Sequence, residues 1–371
     1  MTSILFLLND FKCGGVTKVN VFLANKMSEK NKAAIYCMGP SKPRFPVTAP
    51  VHYAYKPYYE ILRFTRKAAT FASKMLKTEY NPTCIDKCKL QTLIKYIKKN
   101  GFDTLVCSAD QINLIPFLKA SLPHVKMIAW CHSTAQAYLN DYFKVFKKAL
   151  VKGLKMADKV VCLTDADKKS YSKFSNNTVR IHNPLTISNT EKSNLSATVI
   201  SFVGRIKIIT KGIDYLCETA KYLPDNWTIS VAGGGTESEL QEFRKLIAQN
   251  GVQDRIEYKG ALSGDDLNRH YKNSSIFILT SRWEGFGLVL CEAMSFGLPV
   301  VAFEQAGSKE ILDGGKYGIL IENGNTASMA KAINEFIKSR ELRKKYQALS
   351  LERVKDFNID RIASCWEDIM T

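Results

Sequence analysis

Two glutamates, Glu284 and Glu292, stand eight positions apart in the segment EGFGLVLCE. The glycines that follow Glu284 keep a helix from beginning before about Leu288, because glycine is a poor helix former. We therefore predict Glu284 in a loop after the buried strand IFILTS, and Glu292 about one turn into the next helix. Glycines and a helix N-terminus both favour a bound anion. Two interpretations stay open: a phosphate site with a carboxylate on each side for hydroxyl groups, or a tight turn with two solvated glutamates.

Other polar or glycine-containing turns also follow predicted strands. Arg205 and Lys211 come after the strand VISFVG, and two cations at a strand end suit a diphosphate. Gly14 and Gly15 follow the first strand and offer backbone donors to an anion, although the full dinucleotide pattern G-x-G-x-x-G is absent. His132 ends the strand MIAWC, and a lone histidine is more often structural than catalytic.

Two pairs of residues have side chains that can bind a metal ion, but the sequence around each pair argues against a metal site. Cys84 and Cys88 lack two further ligands at matching spacing. Asp165 and Asp167 follow a strand and open a helix, where Thr164 or Asp165 is better explained as an N-cap. We predict no metal site.

The net charge of +18 is unevenly distributed along the 371 residues. Residues 1–200 carry 31 lysines and arginines against 12 acidic residues, whereas residues 201–371 carry 22 against 23. A basic half indicates an anionic partner: nucleic acid, an anionic membrane surface or a phosphorylated substrate. Solubility alone is the simpler explanation, but it does not require the excess on one side.

Two basic clusters alternate with apolar residues at helical spacing. Such a pattern suits a helix lying on an anionic bilayer, or an amphipathic helix whose apolar side faces the core. The first cluster contains Arg63, Phe64, Arg66, Lys67, Phe71, Lys74, Met75 and Lys77. The second contains Phe143, Lys144, Phe146, Lys147, Lys148, Leu150, Lys152 and Lys155.

Short apolar runs alternate with amphipathic segments throughout the chain, which predicts an α/β fold with parallel sheets. The polar segment 184–197 is typical of a linker, so we predict domains at 1–186 and 187–356 and a helix at 357–371 that can join either one. No apolar run approaches the ~18 residues of a membrane span. Ten cysteines without a C-x-x-C pair predict free thiols in a reducing compartment. We expect strands at 3–8, 32–37, 103–108, 125–130, 159–164, 198–203, 228–232, 255–259, 276–280, 299–302 and 318–321. We expect helices at 17–29, 88–99, 141–156, 212–222, 236–249, 264–272, 288–296, 326–339 and 341–354.

Taken together, these motifs resemble the retaining glycosyltransferases of family 4 (glycosyl transferases group 1), of the bacterial surface-polysaccharide type. The family signature, two glutamates separated by seven residues, stands in full as EGFGLVLCE and is followed by AMSFGLPVVA. FVGRIKIITKG, ISVAGGGTE, IEYKGAL and YGILIENGN also occur in family order, and GGVTKV, AWCHST and VRIHNPL match more loosely. The resemblance implies the GT-B fold, with two Rossmann-like domains whose sheets face across a cleft. One departure is Ala306 in QAGSKEIL, where the family often has the first of two glycines, and it leaves the donor open.

The resemblance also implies roles for individual residues. Arg205 and Lys211 would neutralise the donor diphosphate, Leu288 would donate its backbone N–H to phosphate, and Gly15 of the first domain would close over the diphosphate. Glu292 would hold the ribose.

The donor sugar would have its own residues. Glu284 would hold sugar hydroxyls, and His132 would contact the sugar near the reacting carbon. Gly285, Phe286 and Gly287 would line the sugar.

The function implied is transfer of a hexose or N-acetylhexosamine from a nucleotide sugar, expected to be UDP-linked. The acceptor would be a glycan or a polyprenyl-diphosphate-linked glycan in surface-polysaccharide synthesis (lipopolysaccharide, O-antigen or capsule). The nucleotide sugar is a co-substrate, and no cofactor or metal is expected. We expect the protein in the cytoplasm, peripheral on the inner face of the membrane. The alternatives are a nucleotide-sugar epimerase on the same fold and a basic nucleic-acid-binding protein, for which no motif is present.

Overall fold

The structure is a computed structural model that describes residues 2–11, 14–43, 45–54, 67–68, 71–72, 75, 83–187 and 191–370. The chain divides into two compact units. The first comprises residues 1–186 and 359–371, and the second comprises residues 187–358. Each unit has its own parallel sheet and its own hydrophobic core.

The first unit contains a seven-stranded parallel sheet. Its strands are β1 (Ser3–Leu8), β2 (Lys32–Cys37), β3 (Val51–Tyr53), β4 (Thr104–Ser108), β5 (Lys126–Trp130), β6 (Lys159–Cys162) and β7 (Thr178–Arg180). They lie in the order β3-β2-β1-β4-β5-β6-β7. The helices are Gly15–Ser28, Thr83–Asn100, Ile115–Ser121, Lys147–Met156, Asp165–Tyr171 and Ile359–Met370, with short helical turns at Ala109–Leu114, Ala135–Ala137, Tyr138–Tyr142 and Lys144–Phe146.

The second unit contains a six-stranded parallel sheet. Its strands are β8 (Val199–Val203), β9 (Thr228–Ala232), β10 (Ile256–Gly260), β11 (Ile276–Leu279), β12 (Val300–Phe303) and β13 (Ile319–Ile321). They lie in the order β10-β9-β8-β11-β12-β13. The helices are Ile208–Lys211, Ile213–Ala220, Glu237–Asn250, Gly264–Lys272, Leu288–Ser295, Ala306–Ile311, Thr326–Lys338 and Arg340–Arg353, with short turns at Asp313–Gly315 and Val354–Phe357.

The central strands are continuous apolar runs because helices cover both faces of a parallel sheet. All six residues of β1 and all four of β11 are buried. The predicted α/β fold with two parallel sheets is confirmed, and the predicted strands agree with the observed ones to within two residues. The sequence patterns missed β3 and β7, which are three-residue strands at the two edges of their sheet. These strands read VHY and TVR, which are too short and too polar to form an apolar run, whereas β13 is also a three-residue edge strand but reads ILI and was predicted.

The helix Ile359–Met370 packs on the first unit, against the helix Gly15–Ser28. Its Trp366 is fully buried and lies edge-on to Trp130, with 4.6 Å between ring centroids. Asn31 Nδ2 donates to Glu367 Oε1 (3.0 Å), which ties the C-terminal helix to the loop before β2.

The second basic cluster fits the core-facing alternative. Phe143, Leu150 and Leu154 belong to the core of the first unit, whereas the lysines of the helix Lys147–Met156 are exposed. The apolar side of this helix is therefore occupied within the protein and cannot enter a bilayer.

The first basic cluster is described only in part. Arg63, Phe64, Arg66, Lys74 and Lys77 lie outside the described residues. Lys67, Phe71 and Met75 are exposed, with Phe71 at 65% and Met75 at 72% of their full accessible surface. Within the described ranges, no helix is both long and apolar enough to cross a membrane.

The predicted N-cap at Thr164 is confirmed. Its hydroxyl accepts a hydrogen bond from the backbone N–H of Asp167 (3.0 Å), and Asp165 forms an ion pair with Arg180 (2.9 Å). The side chain of Cys84 lies outside the part of the chain that the structure describes. The described cysteines are free thiols: Cys37, Cys88, Cys107, Cys131, Cys162, Cys217, Cys291 and Cys365.

Candidate active site

The loops that follow β8 and β9 lie in backbone contact. The N–H of Gly204 donates to the carbonyl of Ala232 (3.0 Å), and the N–H of Ile206 donates to the carbonyl of Gly234 (2.9 Å). A Cβ atom on Gly233 would lie 1.7 Å from the carbonyl oxygen of Gly204. Close packing of the two loops therefore requires glycine at position 233. The backbone hydrogen bonds between the loops hold Arg205 at the carboxyl end of the sheet.

Lys211 is positioned by a turn that packs on the end of β11. It ends the short helix Ile208–Lys211, and Gly212 follows with φ at +62°. A Cβ atom on Gly212 would lie 2.0 Å from the carbonyl oxygen of Thr280, whose own hydroxyl donates to the carbonyl of Lys211 (2.9 Å). Only glycine fits both the left-handed backbone and this close approach.

The structure pairs Lys211 with Glu284. The ammonium nitrogen of Lys211 forms an ion pair with Glu284 Oε1, and the hydroxyl of Ser281 donates to the same oxygen (2.7 Å). The two side chains are only 15% and 13% exposed, so water screens the pair weakly. Glu284 follows the β11 strand and Lys211 follows β8, which is where open parallel sheets bind ligands.

Arg282 lies two residues before Glu284, and its role was not predicted from the sequence. Its guanidinium makes two hydrogen bonds to the Asp214 carboxylate, of 2.9 and 2.6 Å. It also donates to the carbonyls of Ile208 (3.3 Å) and Ile209 (3.0 Å), and it stacks 3.9 Å from the ring centre of Tyr215. No local pattern signals these contacts, because their partners lie about 70 residues away.

The loop between Glu284 and the next helix is packed through Phe286 and Gly287. Phe286 is buried and lies edge-on to Phe357, and Gly287 has φ at +94°. Leu288 begins the helix Leu288–Ser295, and the first N–H groups of a helix have no partner within it. The N-terminus of this helix therefore offers both backbone N–H groups and the positive end of the helix dipole near Leu288.

Ala306 stands where the family often has the first of two glycines, and the structure shows a packing requirement for glycine at the next position, 307. A Cβ atom on Gly307 would lie 2.4 Å from the carbonyl oxygen of Phe286, so close packing requires glycine at 307. Gln305 caps the helix Ala306–Ile311, with its side-chain oxygen accepting from the N–H of Gly307 (2.8 Å).

Glu292 lies in the helix Leu288–Ser295, about one turn from its start, as predicted. It is 5% exposed, and the hydroxyl of Tyr271 donates to Glu292 Oε2 (3.1 Å). Burial and the neighbouring carboxylate hold the pKa of Tyr271 well above its usual value, so the phenol stays a donor. No sequence pattern indicates Tyr271 as a partner of Glu292.

Arg205 stands apart from these pairs. Its side chain is exposed, and within the described residues no hydrogen bond or ion pair joins it to Lys211 or Glu284. The same ranges contain no group of three or more His, Cys, Asp or Glu side chains arranged to hold a metal ion.

His132 and Gly15 belong to the first unit. His132 Nε2 lies 3.3 Å from Ser108 Oγ, which donates to Asn20 Oδ1 (3.1 Å), and its ring packs on Trp130. Burial lowers the pKa of His132 to about 3, so the imidazole is neutral at physiological pH. Gly15 begins the helix Gly15–Ser28.

Comparison with known proteins identifies the family and the fold of this chain. Residues 186–350 match the family model of the glycosyl transferases group 1. An uncharacterized glycosyltransferase of Haemophilus influenzae is 30% identical over 377 residues, which cover 98% of each chain. The fold is similar to that of HepE from Anabaena in complex with UDP, with a TM-score of 0.78, 16% identity and 99% of each chain covered. It is also similar to the lipopolysaccharide outer core galactosyltransferase WaaB, with a TM-score of 0.71, 16% identity, and coverage of 100% of this chain and 99% of that one.

Proposed function

We propose that this chain, which belongs to the glycosyl transferases group 1 family and is a glycosyltransferase with the GT-B fold, is a retaining enzyme of family 4. It transfers a hexose or N-acetylhexosamine from a UDP-linked donor to a glycan or a polyprenyl-diphosphate-linked acceptor. The second unit binds the donor, and the first unit serves the acceptor.

The observation that carries this proposal is the Lys211–Glu284 pair beside the start of the helix Leu288–Ser295. Departure of a nucleoside diphosphate leaves negative charge on phosphate, and preorganised cations and N–H dipoles stabilise it. We assign the diphosphate to Lys211, Arg205 and the N–H of Leu288, so that no metal ion is required. Glu284 then accepts hydrogen bonds from hydroxyls of the donor sugar, because a carboxylate is an acceptor only.

Glu292 and the loop around Phe286 complete the proposed donor site. Glu292 holds the ribose hydroxyls, and the segment from Gly285 to Gly287 lines the sugar. The roles predicted for His132 and Gly15 remain predictions.

The substrate class is supported by the ligand bound in one similar structure and by the activity for which another is named. HepE of Anabaena is in complex with UDP, and WaaB is a galactosyltransferase of the lipopolysaccharide outer core. We therefore propose UDP as the nucleotide and a bacterial surface glycan as the acceptor.

Product analysis separates a transferase from an epimerase. The protein is incubated with UDP-GlcNAc or another UDP-sugar, with and without a lipid-linked glycan acceptor, and the nucleotide products are identified. We expect UDP to form and the glycan to grow only when acceptor is present. An epimerised UDP-sugar formed without acceptor would support the alternative enzyme. Failure of a whole panel of nucleotide sugars to yield free nucleotide with any glycan acceptor would contradict the proposal.

We further propose that the basic first unit brings the enzyme to an anionic membrane surface at the inner face of the cell membrane. Lys67, Phe71 and Met75 are exposed, and they stand four residues apart in the sequence, the spacing of side chains that share one face of a helix. Apolar side chains beside basic ones suit the boundary of an anionic bilayer.

Vesicle co-sedimentation tests this membrane proposal. We expect binding to vesicles containing phosphatidylglycerol, weakening as salt increases, and little binding to neutral vesicles. Phe71→Ser with Met75→Ser is expected to lower binding about tenfold or more, because two apolar side chains no longer leave water. Tyr222→Ser, at another exposed aromatic residue, is the matched control and leaves binding unchanged. Equal and negligible binding to both kinds of vesicle would end the membrane proposal.

A further inference from the structure

Arg282 contacts the segment that carries Lys211 through both its side chain and its backbone. The side chain bridges the carbonyls of Ile208 and Ile209 and the Asp214 carboxylate. The backbone N–H of Arg282 donates to the carbonyl of Thr210 (3.1 Å). Arg282 therefore contacts residues that lie both before and after Lys211 in the chain.

The same residue is part of the loop that carries Glu284, and a side chain from the loop after β13 holds its backbone. Arg282 lies between Ser281 and Glu284, and its carbonyl accepts a hydrogen bond from Asn323 Nδ2 (2.8 Å). Ser281 in turn donates to Glu284. Arg282 therefore connects the two backbones whose side chains form the Lys211–Glu284 pair.

The geometry of these contacts requires a guanidinium. Its planar fork meets the two oxygens of Asp214 with separate N–H groups while its face stacks on Tyr215. A lysine at this position would keep the charge, but a single ammonium cannot reproduce the fork and the stacked plane. The side chain is 21% exposed, so this arrangement is largely shielded from water.

We propose that Arg282 is a positioning residue of the donor site: it fixes the Lys211 turn against the Glu284 loop and so sets the spacing at which the two charges meet the diphosphate and the sugar. This inference rests on the proposed function of the Lys211–Glu284 pair. It does not place Arg282 in contact with substrate.

Arg255 provides a matched control within the same unit. Its guanidinium also bridges backbone carbonyls, those of Lys221 (3.0 Å) and Leu223, and an aspartate, Asp225 (2.5 Å). These partners lie in the loop before β9, at the amino end of the sheet rather than at the carboxyl end. Both arginines donate hydrogen bonds to backbone carbonyls and to an aspartate, and only Arg282 adjoins the candidate site.

The test compares Arg282→Lys with Arg255→Lys by thermal unfolding, by calorimetric titration with UDP and by steady-state kinetics well below the melting temperature. We expect both variants to melt at lower temperature than the unmodified protein. We expect Arg282→Lys alone to lower kcat/KM about tenfold to a hundredfold, since small misplacements of catalytic groups have effects of this size, and to weaken UDP binding. Asp214→Asn, which removes the partner charge and keeps its size, is expected to reproduce the loss in milder form.

The outcomes separate this inference from the proposed function. If the unmodified protein binds UDP and transfers sugar while Arg282→Lys and Arg255→Lys change kcat/KM equally, Arg282 acts only on stability and the inference is wrong. If Arg282→Lys fails to fold, Asp214→Asn decides by the same comparison. If the unmodified protein neither binds UDP nor transfers sugar, the proposed function itself fails.

Discussion

Replacement of Glu284 by glutamine is expected to lower kcat/KM for sugar transfer at least about a hundredfold, the size of effect seen when one preorganised polar group is removed from an active site. Glutamine keeps the size of the side chain and one carbonyl oxygen that can accept from Lys211 and Ser281. It removes the negative charge that would face the donor sugar. The loss therefore measures the carboxylate charge and not the packing.

The measurement is steady-state transfer from the UDP-sugar found active, with the melting temperature of each variant recorded beside it. Glu304→Gln is the matched control, because Glu304 also pairs with a lysine, Lys309, but both side chains of that pair are well exposed. Exposed ion pairs contribute little, so this variant is expected to be nearly normal in both readouts. Near-normal transfer by Glu284→Gln would show that the candidate site is misplaced.

Replacement of Lys211 by methionine is expected to raise the KM for the nucleotide sugar about tenfold to a hundredfold and to lower kcat as well. A hydrogen bond to a charged group contributes about 1.5–3 kcal/mol, which corresponds to that range. Methionine keeps most of the aliphatic stem, so the change isolates the ammonium group. Initial rates over a range of donor concentrations give the two constants separately.

The double variant Lys211→Met with Glu284→Gln separates stability from function. Either single change leaves a shielded partner without its counter-charge, which destabilises the fold, whereas the double change leaves no unpaired charge. We expect the melting temperature of the double variant to lie above the value expected from adding the two single effects, while transfer stays lost. Recovery of transfer together with stability would mean that the pair serves only the fold. Lys344→Met, on an exposed i,i+3 pair with Glu341, controls for loss of a surface lysine.

The fold was accessible from the sequence because its signals are local. Buried strands such as IFIL in β11 are continuous apolar runs, and the glycines around Phe286 mark the place where the strand ends and the helix Leu288–Ser295 begins. The positions of Glu284 in a loop and Glu292 one turn into a helix followed from these signals. The position of the short edge strand β7 did not, because its three residues, TVR, include only one apolar side chain.

The side-chain pairs of the site could not be predicted in the same way. Lys211 and Glu284 are 73 residues apart, and their ion pair depends on the neighbouring positions of β8 and β11 in the sheet. The hydrogen bond from Tyr271 to Glu292 likewise depends on how two helices pack on one sheet. Spacing along the chain carries no information about such partners. The sequence therefore identified Lys211 and Glu284 as separate candidates, and the structure showed that they are a pair.

Arg205 differs from Lys211 in both exposure and partners. Lys211 is already engaged by Glu284, whereas the Arg205 side chain extends from the β8 loop into solvent. A diphosphate that enters the site would therefore share Lys211 with Glu284 and gain Arg205 as a new contact. A new contact of this kind would fix a flexible side chain, which reduces the net gain in binding free energy.

We propose that the second unit binds a nucleotide sugar at the Lys211–Glu284 pair. The most direct measurement is thermal unfolding with a panel of nucleotides and nucleotide sugars, because a ligand that binds only the folded state stabilises it by about 2.7 kcal/mol at a hundred times its Kd. We predict that UDP and at least one UDP-sugar raise the melting temperature of the unmodified protein in a concentration-dependent way, and that the Lys211→Met, Glu284→Gln double variant needs at least about tenfold more ligand for the same shift. No shift with any member of the panel, or an equal shift in the double variant, would contradict the claim.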